Sequence, residues 1–275
     1  MIPAVIASMS NIGRSIMYTK RELQTQLEAI GVKPSDTLLV HSSMKAIGEV
    51  DGGADTVLDA LGEFLRSGLL VLPTHTWEQL NETYNVFDVL HEPSCVGILT
   101  NLFRLRPGVL RSWHPTHSVA ALGEDAADFV RGEEHLDTPC GRKGCWGRLY
   151  DRGAKVLFLG APLNRNTLIH GVEEWASIPR RLTDHYTLFK IKTPDGTIID
   201  RPMRRHAAPV LGDISQNYDK LAEPLLKRGI AVQGKIGDAD STLIEVGPMV
   251  ELTLEFLDRN PDLFLDSEPV PKEWY

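Results

Sequence analysis

Cysteine is scarce in this chain of 275 residues. Cys95, Cys140 and Cys145 are an odd number and form no CxxC pair. That excludes the disulfide framework of a small secreted domain and fits a reducing compartment. Positive charge is also in deficit. Twenty-nine Lys and Arg face thirty-seven Asp and Glu, leaving a formal net charge of −8, the wrong sign for tracking nucleic-acid phosphates. No apolar run approaches the roughly 20 residues of a membrane span. Met1 to Met9 is apolar but short and lacks the basic stretch that opens a signal peptide. A cytoplasmic protein without nucleic-acid or membrane partners is therefore expected. Several catalytic and nucleotide-binding signatures are missing too: GxxxxGK followed by Ser or Thr, GxGxxG, GxSxG and HExxH. There is no internal repeat, low-complexity tract or Gly/Ser linker. A single domain over residues 1–275 is the economical reading, with residues 1–18 as an N-terminal extension.

What is present is an α/β rhythm. A hydrophobic fraction of 42% with 24% charged residues is ordinary globular composition. Thr19 can cap a helix over 19–30, with Glu22 completing a capping box and Leu23, Leu27 and Ile30 on one face. Residues 36–41 then read as a buried strand, 42–53 as a loop of small residues, 55–66 as a helix and 69–74 as a second buried strand. The spacing predicts further helices over 96–105, 124–131, 166–175, 219–228 and 248–257. Strands are predicted over 118–122, 155–160, 187–191, 198–201 and 241–246. Residues 75–94 read as a long irregular segment holding Glu78, Glu82, Asp88 and Glu92, and long loops in compact enzymes are often functional.

The richest stretch runs from Gly160 to Trp175. A buried strand ends, a polar loop crosses, and Asn166 or Thr167 can cap the next helix. His170 and Glu173 are three apart and share a helix face. A carboxylate at that spacing can orient an imidazole, and the positive end of the helix dipole disfavours the imidazolium. A neutral histidine suits a general base; the same pair also occurs as a surface contact. His114 and His117 flank Pro115, which points to turn or extended structure. They admit a metal reading with a distant third ligand, or a structural one. The loop Ser42, Ser43, Met44, Lys45, then Gly48 and the Gly52-Gly53 pair, offers hydroxyls, free N–H groups and a cation to an anion, or is an ordinary turn. Cys140 and Cys145 flank Arg142 and Lys143, cations that could activate a thiol.

Taken in order, the segments Val40-His-Ser-Ser-Met-Lys-Ala-Ile-Gly48, Leu72-Pro-Thr-His-Thr-Trp77, Arg111-Ser-Trp-His-Pro-Thr-His-Ser-Val-Ala-Ala-Leu-Gly123, Thr138-Pro-Cys-Gly141, Val156-Leu-Phe-Leu-Gly160, Asn166-Thr-Leu-Ile-His-Gly-Val-Glu173 and Ile236-Gly-Asp-Ala-Asp240 resemble the aminoglycoside 3-N-acetyltransferase family across residues 36–246. The resemblance implies one three-layer α/β/α domain with a largely buried central mixed sheet. It also implies acetyl-CoA as co-substrate and direct acetyl transfer to the amine of a small molecule, an aminoglycoside-type antibiotic in the first instance and a non-aminoglycoside amine as the alternative; a metal hydrolase built on the histidine cluster is the rival from another class, and a homodimer is compatible with the resemblance. Carried over by position, His170 is the catalytic base and Glu173 its orienting carboxylate, with His114 and Thr116 near the active site. Ser42, Ser43, Lys45, Gly48 and Val50 would lie along the coenzyme, and no metal is implied. Backbone N–H groups, or a hydroxyl such as Thr76 or Thr116, would donate to the developing oxyanion. The family's small polar residue near position 145 is replaced by Cys145. Carboxylates at 78, 82, 88, 92, 133, 134 and 137 would suit an ammonium-bearing acceptor, whereas Arg180, Arg181, Arg201, Arg204 and Arg205 would suit an anion.

Overall fold

The computed structural model describes residues 17–207 and 212–275. Most of the expected N-terminal extension lies outside them. The chain begins with α1 (Lys20–Ile30), capped as anticipated: Glu22 N–H donates to the Thr19 hydroxyl, and Thr19 N–H donates to the Glu22 carboxylate at 2.7 Å. Then follow β1 (Thr37–Ser42), the short α2 (Met44–Ile47), α3 (Gly53–Phe64), β2 (Leu69–Pro73), β3 (Val86–Asp88), α4 (Ile98–Phe103), β4 (Leu110–Arg111), β5 (Val119–Leu122) and α5 (Ala126–Val130). The second half holds α6 (Cys145–Asp151), β6 (Lys155–Leu159), α7 (Thr167–Trp175), β7 (Thr187–Lys192), β8 (Ile198–Met203), a 3-10 helix (Ile214–Leu221), α8 (Ala222–Lys227), β9 (Ala231–Ile236), β10 (Ala239–Glu245) and α9 (Val246–Arg259).

Seven strands form a mixed sheet in the order β4-β5-β2-β1-β6-β10-β9. β1 lies at its centre and runs parallel to both β2 and β6, while the outer pairings are antiparallel. Because strand side chains alternate between faces, β1 sends Leu38 and Val40 to one side and Leu39 to the other. Leu38 and Val40 pack with Leu23, Leu27, Val57, Leu58, Leu61 and Phe103 from α1, α3 and α4. Leu39 joins Val71, Val156 and Phe158 against Trp146, Leu168, Val172, Met249 and Phe256 from α6, α7 and α9. With both faces covered, central strands read as continuous apolar runs, which is why they were legible in the sequence.

The segment 75–94 is less irregular than expected. Val86–Asp88 pairs in parallel with β7, and β3, β7 and β8 form a separate three-stranded sheet around Phe87, Phe189, Ile191 and Met203. A three-residue strand shows too little alternation to stand out. The same applies to the two-residue β4. β9, whose inner positions are interrupted by Gln233, Gly234 and Lys235, and α6 were likewise not anticipated.

Candidate active site

Three neighbouring strands end on one edge of the sheet: β1 at Ser42, β2 at Pro73 and β6 at Leu159. Open parallel sheets characteristically bind ligands beyond the carboxyl ends of their strands, and here those ends open into a cavity of about 1220 Å³. Ser42, Ser43, His75, Thr116, His117, Gly160, Ala161, Thr167, His170 and His206 are among its lining residues. Gly160 turns the chain off β6 with φ +65°, and a Cβ there would stand 2.4 Å from the Ala46 Cβ. Only glycine lets the loop turn so close to the β1–α2 segment.

That loop delivers α7. Asn166 caps it, accepting from Leu168 N–H at 3.3 Å, and three residues after the start His170 reaches the cavity. Glu173 lies one turn on, but the two side chains do not bond directly: His170 Nδ1 stands 3.9 Å from Glu173 Oε2. Tyr218, from the 3-10 helix, bridges them. Its hydroxyl is 2.6 Å from His170 Nδ1 and donates to Glu173 Oε2 at 2.6 Å. Arg181 Nε donates to the other carboxylate oxygen at 2.5 Å, and its terminal nitrogen donates to Pro261 O at 2.9 Å. A phenol has one proton to give. Since Tyr218 spends it on the Arg181-paired carboxylate, the Nδ1 contact requires the proton on histidine, which leaves Nε2 with the lone pair. The order is Arg181, Glu173, Tyr218, His170. Tyr218 was not singled out in the sequence, because it is 48 residues from His170 and belongs to no motif with it.

Burial, the neighbouring His206 ring and then Arg181 push His170 well below the usual histidine range, with Asp213 opposing them. His170 is therefore uncharged at neutral pH. His206 stacks on it with ring centroids 4.2 Å apart. Glu173 is raised above the ordinary carboxylate range by burial, opposed by Tyr218 and Arg181. Adjacent Glu174 has no such cation. It accepts from His206 Nε2 and Cys140 N–H, both at 3.0 Å, and burial pushes it up to about 8.

Other predicted residues divide clearly. Ser42, Ser43 and Thr116 line the cavity. His114 is fully buried and not among its lining residues: Nε2–H donates to Thr138 O at 3.0 Å, while Nδ1 accepts from Thr116 and His117 N–H at 3.2 and 2.9 Å. With both nitrogens spent on backbone, it shapes the turn that presents Thr116 and His117. Thr76 gives its hydroxyl to Pro115 O and is fully buried, so it has no donor left for an oxyanion. Lys45 is exposed, Val50 is packed in the core, and Gly48 sits against the Asp238 carboxylate; none of the three is among the lining residues. Cys140 and Cys145 are fully buried, and burial holds both thiols well above their usual range, which overturns the activated-thiol reading. Of the expected acceptor-binding residues, Glu78, Glu82, Arg180, Arg181 and Arg205 line the cavity. Glu92 is held by Gln79 and Tyr84, Asp88 by Lys192, and Glu133 by Cys145 N–H. Asp213 and Arg165 line the cavity and were not anticipated.

The arrangement sets a buried histidine, held by a relay of side chains, beside a large cavity. Residues 39–258 match the family model described as aminoglycoside 3-N-acetyltransferase. The chain belongs to that family and is an N-acetyltransferase. It is 34% identical over 279 residues to aminoglycoside N(3)-acetyltransferase III of Acinetobacter baumannii, covering 89% of this chain and 93% of the relative. It is 30% identical over 271 residues to aminoglycoside N(3)-acetyltransferase VII of Streptomyces paromomycinus, covering 88% and 92%. Among solved structures, the apoenzyme of aminoglycoside acetyltransferase AAC(3)-IVa superposes with a TM-score of 0.79 at 27% identity, covering 95% of each chain. AAC-IIIb in a binary complex with CoASH superposes with a TM-score of 0.78 at 26% identity, covering 93% of this chain and 100% of that one. Among the described residues no helix is long and apolar enough to cross a membrane.

Proposed function

We propose that the protein transfers an acetyl group from acetyl-CoA to an amine of an aminoglycoside, as one acetyltransferase unit, and that His170 is the general base. The relay from Arg181 through Glu173 and Tyr218 to His170 Nδ1 supports this reading most strongly. A protonated amine is no nucleophile, so the acceptor must lose a proton before it attacks the thioester. His170 Nε2 holds the lone pair to receive it. As the ring gains charge, Tyr218 keeps accepting from Nδ1–H, and the Glu173 carboxylate 3.9 Å away offsets the new imidazolium. Tyr218 and Glu173 are thus positioning residues, and Arg181 holds Glu173 in place.

The site fits the coenzyme in two respects. The Ser42 and Ser43 hydroxyls and the Gly160–Ala161 turn line one wall at the strand ends, where a pantetheine arm would lie, and Arg165 supplies a cation on the same cavity for a phosphate. Glu78, Glu82 and Asp213 offer carboxylates to a polycationic acceptor, while Arg180 and Arg205 temper their charge. A relative solved with CoASH and another solved with sisomicin bound support these assignments. Such an activity would confer antibiotic resistance and would operate in the cytoplasm, where acetyl-CoA is made. The test is CoA release from acetyl-CoA across a panel of aminoglycosides and simple amines. Acetylation of a 3-amino group by the wild type, lost in His170→Ala, supports the reading; no CoA release with any aminoglycoside overturns it.

A further inference from the structure

Behind the proposed base lies a group of side chains that the acetyl-transfer reading leaves unused. One donor atom each from His117, Cys140 and His206 converge to within 4.8 Å of one another. Each imidazole is already oriented through one nitrogen. His117 Nδ1 is 2.9 Å from the Thr116 hydroxyl, and His206 Nε2 is 3.0 Å from Glu174 Oε1. Each ring therefore keeps one nitrogen without a hydrogen-bond partner among the described residues. A histidine held by a carboxylate on its far nitrogen is the usual arrangement behind a metal ligand. Cys140 Sγ has only a long contact, 3.8 Å, to Thr167 O. Two imidazoles and a sulfur suit a zinc-class ion rather than magnesium or calcium, which take oxygen. Donor atoms of a tetrahedral zinc site stand about 3.3–3.8 Å apart, so the donor separations need to shrink by up to about 1.5 Å. His117 and His206 line the cavity, which supplies an entry path and leaves room for water as a fourth ligand.

We propose that His117, Cys140 and His206 form a zinc-class binding site in the cavity wall, and that a divalent ion bound there suppresses acetyl transfer. Binding forms a metal–sulfur bond and releases the Cys140 thiol proton to the buffer. The ion would sit against His206, whose ring stacks on His170 at 4.2 Å. The ion and its ligands would take up the cavity wall beside His170, narrowing the space through which an acceptor amine reaches it. The suppression rests on His170 being the base; the binding does not. This trio is also not the one the sequence suggested, since His114 has no nitrogen to offer.

The probes are Zn²⁺ and Co²⁺ added to the full chain. We expect one Zn²⁺ per chain by calorimetry, and X-ray absorption showing one sulfur and two imidazole nitrogens. Co²⁺ should give a thiolate-to-cobalt charge-transfer band that is lost in Cys140→Ser and kept in Cys95→Ser. Glu174→Gln, which replaces the carboxyl behind His206 with an amide, should weaken binding about tenfold or more. The absorption measurement uses wild-type protein, so misfolding of a variant does not leave the question open. Binding below one equivalent, a shell without sulfur, or a band unchanged in Cys140→Ser overturns the site. Zinc should also slow CoA release about tenfold or more at saturation, with recovery in chelator. Stoichiometric binding with unchanged turnover overturns the suppression alone, and an enzyme that acetylates nothing leaves the spectroscopic result standing.

Discussion

Glu173 and Glu174 are the same residue at consecutive positions of one helix, both nearly inaccessible, yet they sit in opposite electrostatic situations. Consecutive helical residues point about 100° apart. That rotation turns Glu173 toward Arg181 and Tyr218, a cation and a phenol that hold its charge. Glu174 turns toward a neutral imidazole, one backbone N–H and the Thr138 side chain. Its carboxyl is accordingly pushed up to about 8. Burial alone decides neither role. The partner decides, because the desolvation of a carboxylate is offset only where a cation and hydrogen bonds meet it.

The contrast can be tested by removing one partner at a time. His170→Ala, which deletes the base that the Glu173 side serves, should lower kcat by about 10²–10⁴-fold while the Kd for acetyl-CoA changes little; steady-state kinetics with an aminoglycoside checks this, and wild-type turnover would detach the relay from catalysis. Glu173→Gln leaves the Arg181 guanidinium buried without its anion. It should cost about 3–5 kcal/mol of stability in urea unfolding, with a smaller loss of kcat than His170→Ala.

Tyr218→Phe keeps the ring packing and removes the bridge. It should lower kcat about 10–100-fold, the range of a hydrogen bond to a charged group, with KM for acetyl-CoA unchanged. Because the Nδ1 proton then has no acceptor, the acid limb of the pH–rate profile should also move, a change that a packing defect alone would not produce.

The smallest effect belongs to Glu174. Its folded-state pKa lies above that of the unfolded chain. Its contribution is thus complete below the ordinary carboxylate range and is lost as pH rises through about 8. Glu174→Gln, which stays neutral, should melt about 2–4 °C above wild type at pH 8.5, with the gap closing toward pH 4. The buried histidines have the opposite sign. His41, His114 and His206 are lowered to about 3, 4 and 3 by burial, so the wild type should lose stability as pH falls below the usual histidine range. Differential scanning calorimetry across pH separates the two trends.

The difference between these neighbours was half legible in the sequence. The i, i+3 spacing of His170 and Glu173 placed them on one face of α7, and the structure keeps them there. Their coupling through Tyr218 was not legible, because the phenol comes from a 3-10 helix whose pattern has no period in common with α7. His114 and His117 looked equivalent across Pro115. Only the fold shows one ring consumed by backbone and the other open to the cavity. The cations beside Cys140 and Cys145 suggested a reactive thiol, but Arg142 turns away to Asp151 at 2.6 Å while both sulfurs are buried.

Local order therefore came from the sequence: the capping box of α1, the apolar strands at the sheet centre, and the α/β alternation with its family motifs. These depend on periodicity and on contacts within a few residues, which a linear string contains. The tertiary structure alone decided which polar groups are buried together. Arg181 reaching Glu173, Tyr218 bridging to His170, and His206 folding back onto both His170 and Glu174 join elements that are far apart in sequence or separated by turns. The charge state of a buried group depends on those neighbours, so the chemistry of the site exists only once the chain has closed around it.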